Sequence, residues 1–300
     1  MKFYTKNLLE QRRKMMKAAI QLYSVRQNMS RDPISTVRKV VETGYRNLEV
    51  ANHDSDQDPG VGFAVPAPQM KELLDGLGAK VIGAHVMPLT PRGLPPVLEY
   101  HRQIGTKYIV YPIAFYRGSD EVKATAESLN RMGEMCKAAG MRMVYHNHFH
   151  EFQHLDGQTA FDTLLERLDP GLVGFEIDTY WAMRAGQDPV ALLKRLGRRV
   201  CLIHQKDYTK GYESEINLLA SAEESGDYID FDRFGRDMRE ITFAEIGAGL
   251  MDIQSIIQTG NEVCEAEYIV LEQDFSQLGE FESIKISRGN LQKFSGVQWV

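Results

Sequence analysis

Four acid or imidazole side chains each end or closely follow a short apolar segment in the second half of the chain. Carboxylate oxygens combined with a single imidazole are the donors typical of a Mn²⁺ or Mg²⁺ site, and the imidazole also makes Co²⁺, Fe²⁺ or Zn²⁺ compatible. Such an ion would screen repulsion between three carboxylates and polarise a substrate carbonyl or hydroxyl. The pattern predicts one divalent metal ion held by Glu151, Asp178, His204 and Glu272.

The elements that must position these residues alternate between strand and helix. Short apolar runs rich in β-branched or aromatic residues alternate with longer stretches of helical period, and glycines follow many of the helices. Strands are predicted at 18–24, 45–51, 80–86, 107–112, 141–147, 172–178, 200–206 and 268–272. Helices are predicted at 33–43, 67–77, 94–104, 121–139, 159–168, 189–196, 251–261 and 280–293.

Eight strand–helix units over about 280 residues predict a (β/α)8 TIM barrel, an α/β fold of one domain. A doubly wound open sheet is the alternative, but no GxGxxG sequence follows the first predicted strand. We assign residues 18–300 to the catalytic barrel and 1–17 to an N-terminal extension. The segment 207–245 lacks the short loops of the other units, so we expect an insertion after the seventh strand that serves as a lid or an oligomer contact.

The alternation of side chains along each strand places polar residues inside the barrel. Residues two apart share a face, so apolar Val173, Phe175 and Ile177 direct Glu176 and Asp178 to the interior. Burying many charges costs several kcal/mol each unless they are paired or bind an ion, and this fold has its active site at the carboxyl ends of the strands. Parity places further polar residues there at Gln21, Glu49, His85, His204, Lys206 and Glu272.

Six segments in order along the chain carry a family resemblance. They are QLYSVR at 21–26, YHNHFHEF at 145–152, ID at 177–178, HQKD at 204–207, GAGLMD at 247–252 and LEQD at 271–274. The chain resembles the sugar phosphate isomerase/epimerase family, whose members have xylose isomerase-like barrels. The resemblance implies that Glu151, Asp178, His204 and Glu272 are the metal ligands and that Glu151 and Glu272 are the catalytic acid and base.

This resemblance implies proton transfer next to a carbonyl through a metal-stabilised enediolate. Two glutamates on opposite faces of a carbon epimerise it, whereas one base serving two carbons isomerises an aldose and a ketose. Loss of a β-hydroxyl from the same intermediate makes an inosose dehydratase-like lyase. We therefore expect a metal-dependent isomerase or epimerase of a keto-sugar, with the lyase and a non-catalytic sugar-binding barrel as alternatives.

Further residues are expected to contact the sugar. The run of His146, His148 and His150 could instead form a three-imidazole zinc site, but we expect His148 to face the substrate and His146 to be a barrel histidine. Trp181 offers an aromatic face to sugar C–H groups. The predicted substrate contacts are Gln21, His85, His148, Trp181 and Lys206.

Composition excludes several classes of protein. The 35 basic and 41 acidic residues give a net charge of −6 and form no basic block, which disfavours nucleic-acid binding and a DNA-repair endonuclease. No apolar run approaches the roughly 18 residues of a membrane span. Three widely spaced cysteines form no disulfide framework. We expect a cytoplasmic enzyme with a small-molecule sugar substrate, and the insertion offers a surface for a homo-oligomer.

Overall fold

A closed barrel of eight parallel strands forms the centre of the molecule in the computed structural model, which describes residues 15–220 and 228–299. Neighbouring barrel strands along the chain pair with each other, and the last of the eight pairs with the first to close the sheet. This confirms the predicted TIM barrel. The strands are β1 (Met16–Gln21), β2 (Asn47–Asn52), β3 (Lys80–Val86), β4 (Tyr108–Tyr111), β5 (Arg142–His146), β6 (Val173–Asp178), β7 (Val200–Gln205) and β8 (Tyr268–Leu271).

Helices surround the barrel. Gly78 and Gly105 follow the helices Ala67–Leu77 and Leu94–Ile104 in the left-handed conformation, with φ of 59° and 78°, which glycine adopts without steric cost. No helix within the described parts of the chain has both the length and the apolar character that crossing a membrane requires. The helices are α1 (Arg26–Arg31), α2 (Pro33–Glu42), α3 (Ala67–Leu77), α4 (Leu94–Ile104), α5 (Ser119–Ala138), α6 (Ala160–Arg167), α7 (Thr179–Arg184), α8 (Pro189–Leu196), α9 (Phe231–Asp237), α10 (Ile253–Val263) and α11 (Glu280–Leu291).

The ends of the elements differ from the predicted ends by a few residues. The boundary of the expected N-terminal extension, drawn at residue 17, falls inside β1, which begins at Met16; residues 1–14 of that extension lie outside the described residues. The strand also ends at Gln21 rather than at Ser24, because Leu22–Val25 form a 3-10 turn. Hydrophobic periodicity marks the centre of an element better than its ends.

The barrel interior divides into an apolar floor and a polar layer at the carboxyl ends of the strands. Aliphatic side chains, one cysteine and two tyrosines fill the floor, and the larger hydrophobic cluster lies between strands and helices. The polar layer above the floor therefore has a dry, close-packed support. The floor consists of Ala19, Ile82, Tyr108, Val110, Val144, Cys201, Leu202, Tyr268 and Val270.

The expected insertion leaves the barrel directly after β7. Asp207–Tyr208 pairs antiparallel with Phe243–Ala244, so the ends of the insertion lie side by side. Between them the chain carries α9, and Phe234 of this helix is buried against aromatic residues at the carboxyl end of the barrel. The insertion is therefore attached at its base and returns over the barrel mouth.

A buried histidine in α4 gives the fold a pH-dependent stability. His101 is fully buried with Nδ1 2.9 Å from Thr106 Oγ1, and burial lowers its pKa to about 4. As the pH falls below 6.5, the His101 imidazole takes up a proton in the unfolded chain, whereas in the folded chain it does so only near pH 4. Stability is therefore lost on acidification across this range.

We expect the His101→Gln variant to escape this loss. Between pH 7 and pH 5 the unfolding free energy of the wild type should fall by about 2 kcal/mol more than that of the variant, measured by urea denaturation. The Gln103→Ala variant alters an exposed position of the same helix, and its pH dependence should match the wild type. Parallel curves for His101→Gln and the wild type would contradict the assignment.

Candidate active site

Polar side chains meet at the carboxyl end of the barrel, as strand parity predicts. Acidic and basic residues from β2, β3, β5, β6, β7 and the residues just after β7 and β8 are all buried. They form two overlapping groups of donors, each with its atoms within 4.8 Å of one another. The side chains concerned are Glu49, His85, His146, Glu176, Asp178, His204, Lys206 and Glu272.

The deeper group joins His85, His146, Glu176 and His204, and Glu49 adjoins it. His204 Nε2 lies 2.6 Å from Glu49 Oε2, and His85 Nε2 lies 2.7 Å from Glu176 Oε2. Ligands about 2.1 Å from one metal lie roughly 3.0–3.4 Å apart. The shorter separations found here are hydrogen bonds, so the two glutamates hold the imidazoles in place.

The outer group joins His146, Asp178, His204 and Glu272 at the barrel mouth. His204 Nδ1 lies 3.1 Å from Glu272 Oε2, and His146 Nε2 lies 4.0 Å from Asp178 Oδ2. These separations leave room for a cation, and two imidazoles with two carboxylates are a donor set that suits Zn²⁺, Mn²⁺ or Fe²⁺. The residues present therefore fit a divalent metal.

Both histidines of the outer group turn their second nitrogen to the deeper glutamates. His204 faces Glu49 through Nε2, and His146 Nδ1 lies 3.1 Å from Glu176 Oε2. The other nitrogen of each ring, His204 Nδ1 or His146 Nε2, faces a carboxylate of the outer group. Imidazole ligands of metals are commonly oriented by a carboxylate at their second nitrogen.

The excess of carboxylates keeps protons on the neighbouring bases. Burial lowers the pKa of His85, but Glu49 and Glu176 outweigh it and raise that pKa to about 9. Burial likewise opposes the charge of Lys206, yet Asp178, Asp274 and Glu272 hold its pKa well above the ordinary value. The same negative field attracts a divalent cation.

Lys206 already neutralises part of the outer group. Its Nζ donates to Asp178 Oδ2 and to Glu272 Oε2, the latter at 2.5 Å, and lies 3.6 Å from Asp274 Oδ2. A carboxylate oxygen has two lone pairs, so it can accept from the ammonium and still face a cation. Burial raises the pKa of Asp274 to about 7, although Lys206 opposes that rise.

Gly83 makes space for the side chain of Glu49. A Cβ on Gly83 of β3 would lie 2.4 Å from Glu49 Oε1, which is far too close. Gly83 has no left-handed φ, so the glycine is required for space rather than for backbone conformation. The carboxylate beside His204 therefore depends on a residue of the adjacent strand.

A cavity of about 300 Å³ opens directly above the outer group. His85, His146 and Glu272 belong to both the polar layer and the cavity wall. Aromatic side chains line much of the rest, and α9 covers one side. The wall also includes Tyr23, His53, His148, Trp181, Phe231, Phe234, Met238, Asp274 and Phe275.

Two buried charges anchor the insertion that carries α9. Asp207 accepts hydrogen bonds from the backbone N–H groups of Tyr208, Gly247, Gly249 and Met251, so the GAGLMD segment forms a cradle for this carboxylate. Arg184 of α7 donates to Tyr180, Thr242 and the backbone oxygens of the 215–216 turn. The side of the cavity formed by α9 is therefore built on fixed supports.

The predicted substrate contacts lie at three depths in the barrel. His85, His148 and Trp181 line the cavity. Lys206 lies just beneath it, with Nζ 5.4 Å from the centre of the Trp181 ring. Gln21 lies deeper, where its Nε2 donates to Glu49 Oε2 at 3.1 Å and its Oε1 accepts from the Tyr23 N–H.

The structure brings Asp178, His204 and Glu272 together but does not bring Glu151 to them. Glu151 lies in the 3-10 turn His150–Phe152, which carries its carboxylate back toward β5. Its Oε1 accepts from the Tyr145 hydroxyl at 3.0 Å and its Oε2 from the His148 N–H at 2.8 Å. His146, rather than Glu151, completes the outer donor group with these three residues.

Sequence reasoning misses the site role of three residues. Alternation along the strands directs Glu49 and Glu176 to the barrel interior without assigning them a role, and the sequence predicts His146 as a barrel histidine rather than a ligand. His146 is the last residue of β5 and shares a face with Val144 of the barrel floor. Alternation along the strands is therefore sufficient to place all three side chains in the barrel interior.

Comparison with known proteins identifies the family of this chain. Residues 37–255 match the family model of the xylose isomerase-like TIM barrel. The chain belongs to this family. The match confirms the resemblance that the sequence shows to the xylose isomerase-like barrels.

Named relatives of this xylose isomerase-like barrel include inosose dehydratases. The one from Clostridium perfringens is 25% identical over 206 residues, which cover 68% of this chain and 61% of that protein. The chain spans less than two thirds of the length of the inosose dehydratases it matches first.

Solved structures share the fold. A sugar phosphate isomerase/epimerase from Parabacteroides distasonis matches with a TM-score of 0.74 at 24% identity, covering 94% of this chain and 96% of that one. The IolI protein, solved with a bound zinc atom, matches with a TM-score of 0.67 at 14% identity, covering 93% and 97%.

Proposed function

We propose that this chain is a metal-dependent isomerase or epimerase that moves a proton next to the carbonyl of a keto-sugar. His146, Asp178, His204 and Glu272 would hold the divalent cation. The observation that carries the proposal is the overlap of the outer donor group with the cavity, since His146 and Glu272 belong to both. A ligand in this cavity would lie directly against the donor group.

The residues of the chain supply the binding and the proton transfer. When bound, a divalent cation would polarise the substrate carbonyl and make the neighbouring C–H more acidic. Glu272, at the end of β8, accepts the proton. His85 lines the same cavity from β3, on the other side of β1 and β2 from β8, and donates a proton to the opposite face of the carbon.

Other residues shape the cavity. Trp181 and Phe234 present apolar rings to sugar C–H groups, and α9 excludes water from one side. Glu151 accepts from the His148 N–H and thereby positions the turn that presents the His148 ring to the cavity. In this proposal Glu151 is a positioning residue, and the acid–base role assigned to it from the family resemblance passes to His85.

Hydrogen exchange with solvent tests the proposal directly. Metal-loaded protein is incubated in D₂O with a panel of keto-sugars and inososes, and the C–H signals beside each carbonyl are followed by proton NMR. We expect at least one compound to lose its signal about 100-fold or more faster than without protein. Elemental analysis of the same sample should give one cation per chain.

A lyase on the same site is the second candidate, favoured by the inosose dehydratases among the relatives. Removal of the same proton followed by loss of a β-hydroxyl gives a product lighter by one water. Mass spectrometry of the exchange reactions separates this outcome from epimerisation. A chain that binds sugar but shows neither exchange nor water loss when metal-loaded would instead be a non-catalytic barrel.

A further inference from the structure

A second cavity of about 260 Å³ lies beside the first at the same end of the barrel. It is formed by the residues that follow β1 and by the loop after β2, so it extends outward from the barrel axis. Tyr23, Ala51 and His53 line both cavities. We name the cavity above the donor group the inner compartment and this one the outer compartment, which is also lined by Leu22, Arg26, Met29, Asp54, Val61 and Phe63.

The side chains of Tyr23 and His53 form the boundary between the compartments, and Arg26 packs against Tyr23. The rings of Tyr23 and His53 have centroids 5.6 Å apart. The guanidinium of Arg26 lies 4.3 Å from the centre of the Tyr23 ring and 5.5 Å from that of Phe275. Arg26 also donates to the backbone oxygens of Tyr23 and Asp274. The boundary is therefore tied to the Asp274 loop of the inner compartment.

The outer compartment suits an uncharged, apolar group. Leu22, Met29 and Val61 are buried in its wall, and Phe63 adds a half-buried ring. The cation in the wall, Arg26, is already engaged by two backbone carbonyls and two aromatic rings. Asp54 adds a negative charge, which disfavours a phosphate or carboxylate ligand.

We propose that the substrate has two rings: a keto-sugar ring in the inner compartment and an apolar aryl substituent in the outer one. Ligand sites usually measure roughly 300–1,000 Å³, so either compartment alone is small for the class, whereas the pair accommodates two rings. The assignment of the inner ring as a keto-sugar rests on the proposed function. The aryl preference of the outer compartment rests on its own walls.

Binding of unreactive glycosides tests the inference without turnover. Methyl and phenyl β-D-glucopyranoside differ only in the aglycone, which is a methyl group or a phenyl ring. Both lack the ketone, so the metal-loaded protein can be titrated with each by calorimetry. We expect the phenyl glycoside to bind about ten-fold more tightly. Equal affinities, or no binding of the phenyl glycoside up to its solubility limit, would overturn the inference.

Two truncations distinguish the compartments. Phe63→Ala removes a ring that lines only the outer compartment, so the ratio of the two affinities should fall toward one. Phe231→Ala removes a ring that lines only the inner compartment, and it should weaken both glycosides while keeping their ratio. Retention of the full ratio in Phe63→Ala would contradict the proposal, provided that the thermal unfolding of this variant resembles that of the wild type.

The two proposals can fail separately. If the phenyl preference is present and depends on Phe63 while no compound shows proton exchange, the outer compartment stands and the proposed reaction is wrong. If exchange occurs on simple keto-sugars and the phenyl preference is absent, the reaction stands and the two-ring substrate is wrong.

Discussion

Replacing Glu272 by glutamine is expected to lower the rate of carbonyl-adjacent proton exchange by about 1,000-fold. General-base catalysis by a positioned side chain contributes typically 10²–10⁴-fold, and a neutral amide cannot accept the proton. Burial opposes the charge of Glu272, but Lys206 and His204 hold its pKa well below the ordinary value. In the proposed site the wild-type carboxylate is therefore ionised and available as the base.

The same substitution should weaken cation binding, because Glu272 belongs to the outer donor group. Loss of a group that merely orients a ligand costs about 10–100-fold in metal affinity, so loss of a ligand should cost at least that. Competition with a chelator measures the affinity, and the exchange rate is then measured at saturating metal. Full recovery of the rate at saturating metal would contradict the role of Glu272 as base.

Glu267→Gln provides the matched control. Glu267 directly precedes β8, at the opposite end of the barrel from Glu272, and pairs with Lys17 and Lys107. The substitution is chemically identical and lies in the same segment. We expect the exchange rate and the metal affinity of this variant to match the wild type, so that any effect at Glu272 reports on the site rather than on β8.

The barrel and much of its polar layer could be predicted because both follow from the regular spacing of apolar residues along strands and helices. Alternation along 173–178 placed Glu176 and Asp178 inside, and the structure has both buried in the polar layer. The helices 67–77, 94–104 and 189–196 have the predicted ends, since proline lies near each start and glycine follows each end.

The position of Glu151 could not be predicted from period, because this residue lies beyond the strand. Its carboxylate is directed by the 3-10 turn and by the Tyr145 hydroxyl, which are properties of a loop path. The contribution of α9 to the cavity has the same origin, since 35 residues separate Asp207 from Phe243 in the chain, yet the two segments carrying them pair. Long-range closure of a loop leaves no periodic signal in its sequence.

Replacement of Lys206 by methionine should cost the metal-free protein about 3–5 kcal/mol of unfolding free energy. Methionine matches the aliphatic part of the lysine side chain but leaves Asp178 and Glu272 buried without the ammonium that both contact. Breaking a buried charge pair by removing one partner typically costs this much. Urea denaturation without metal measures the loss, with Lys107→Met as control, whose partly exposed pair with Glu267 should be worth no more than about 1 kcal/mol.

Addition of a divalent cation should reduce this cost, because the proposed site places its charge beside the same two carboxylates. Binding to the folded state alone raises the unfolding free energy by RT ln(1 + [L]/Kd), so tighter binding gives a larger rise at equal metal concentration. Removal of the competing ammonium should tighten binding, and the metal-induced rise should therefore be larger in Lys206→Met than in the wild type. An equal or smaller rise would show that the cation does not share Asp178 and Glu272 with Lys206, and the outer group would no longer qualify as the metal site.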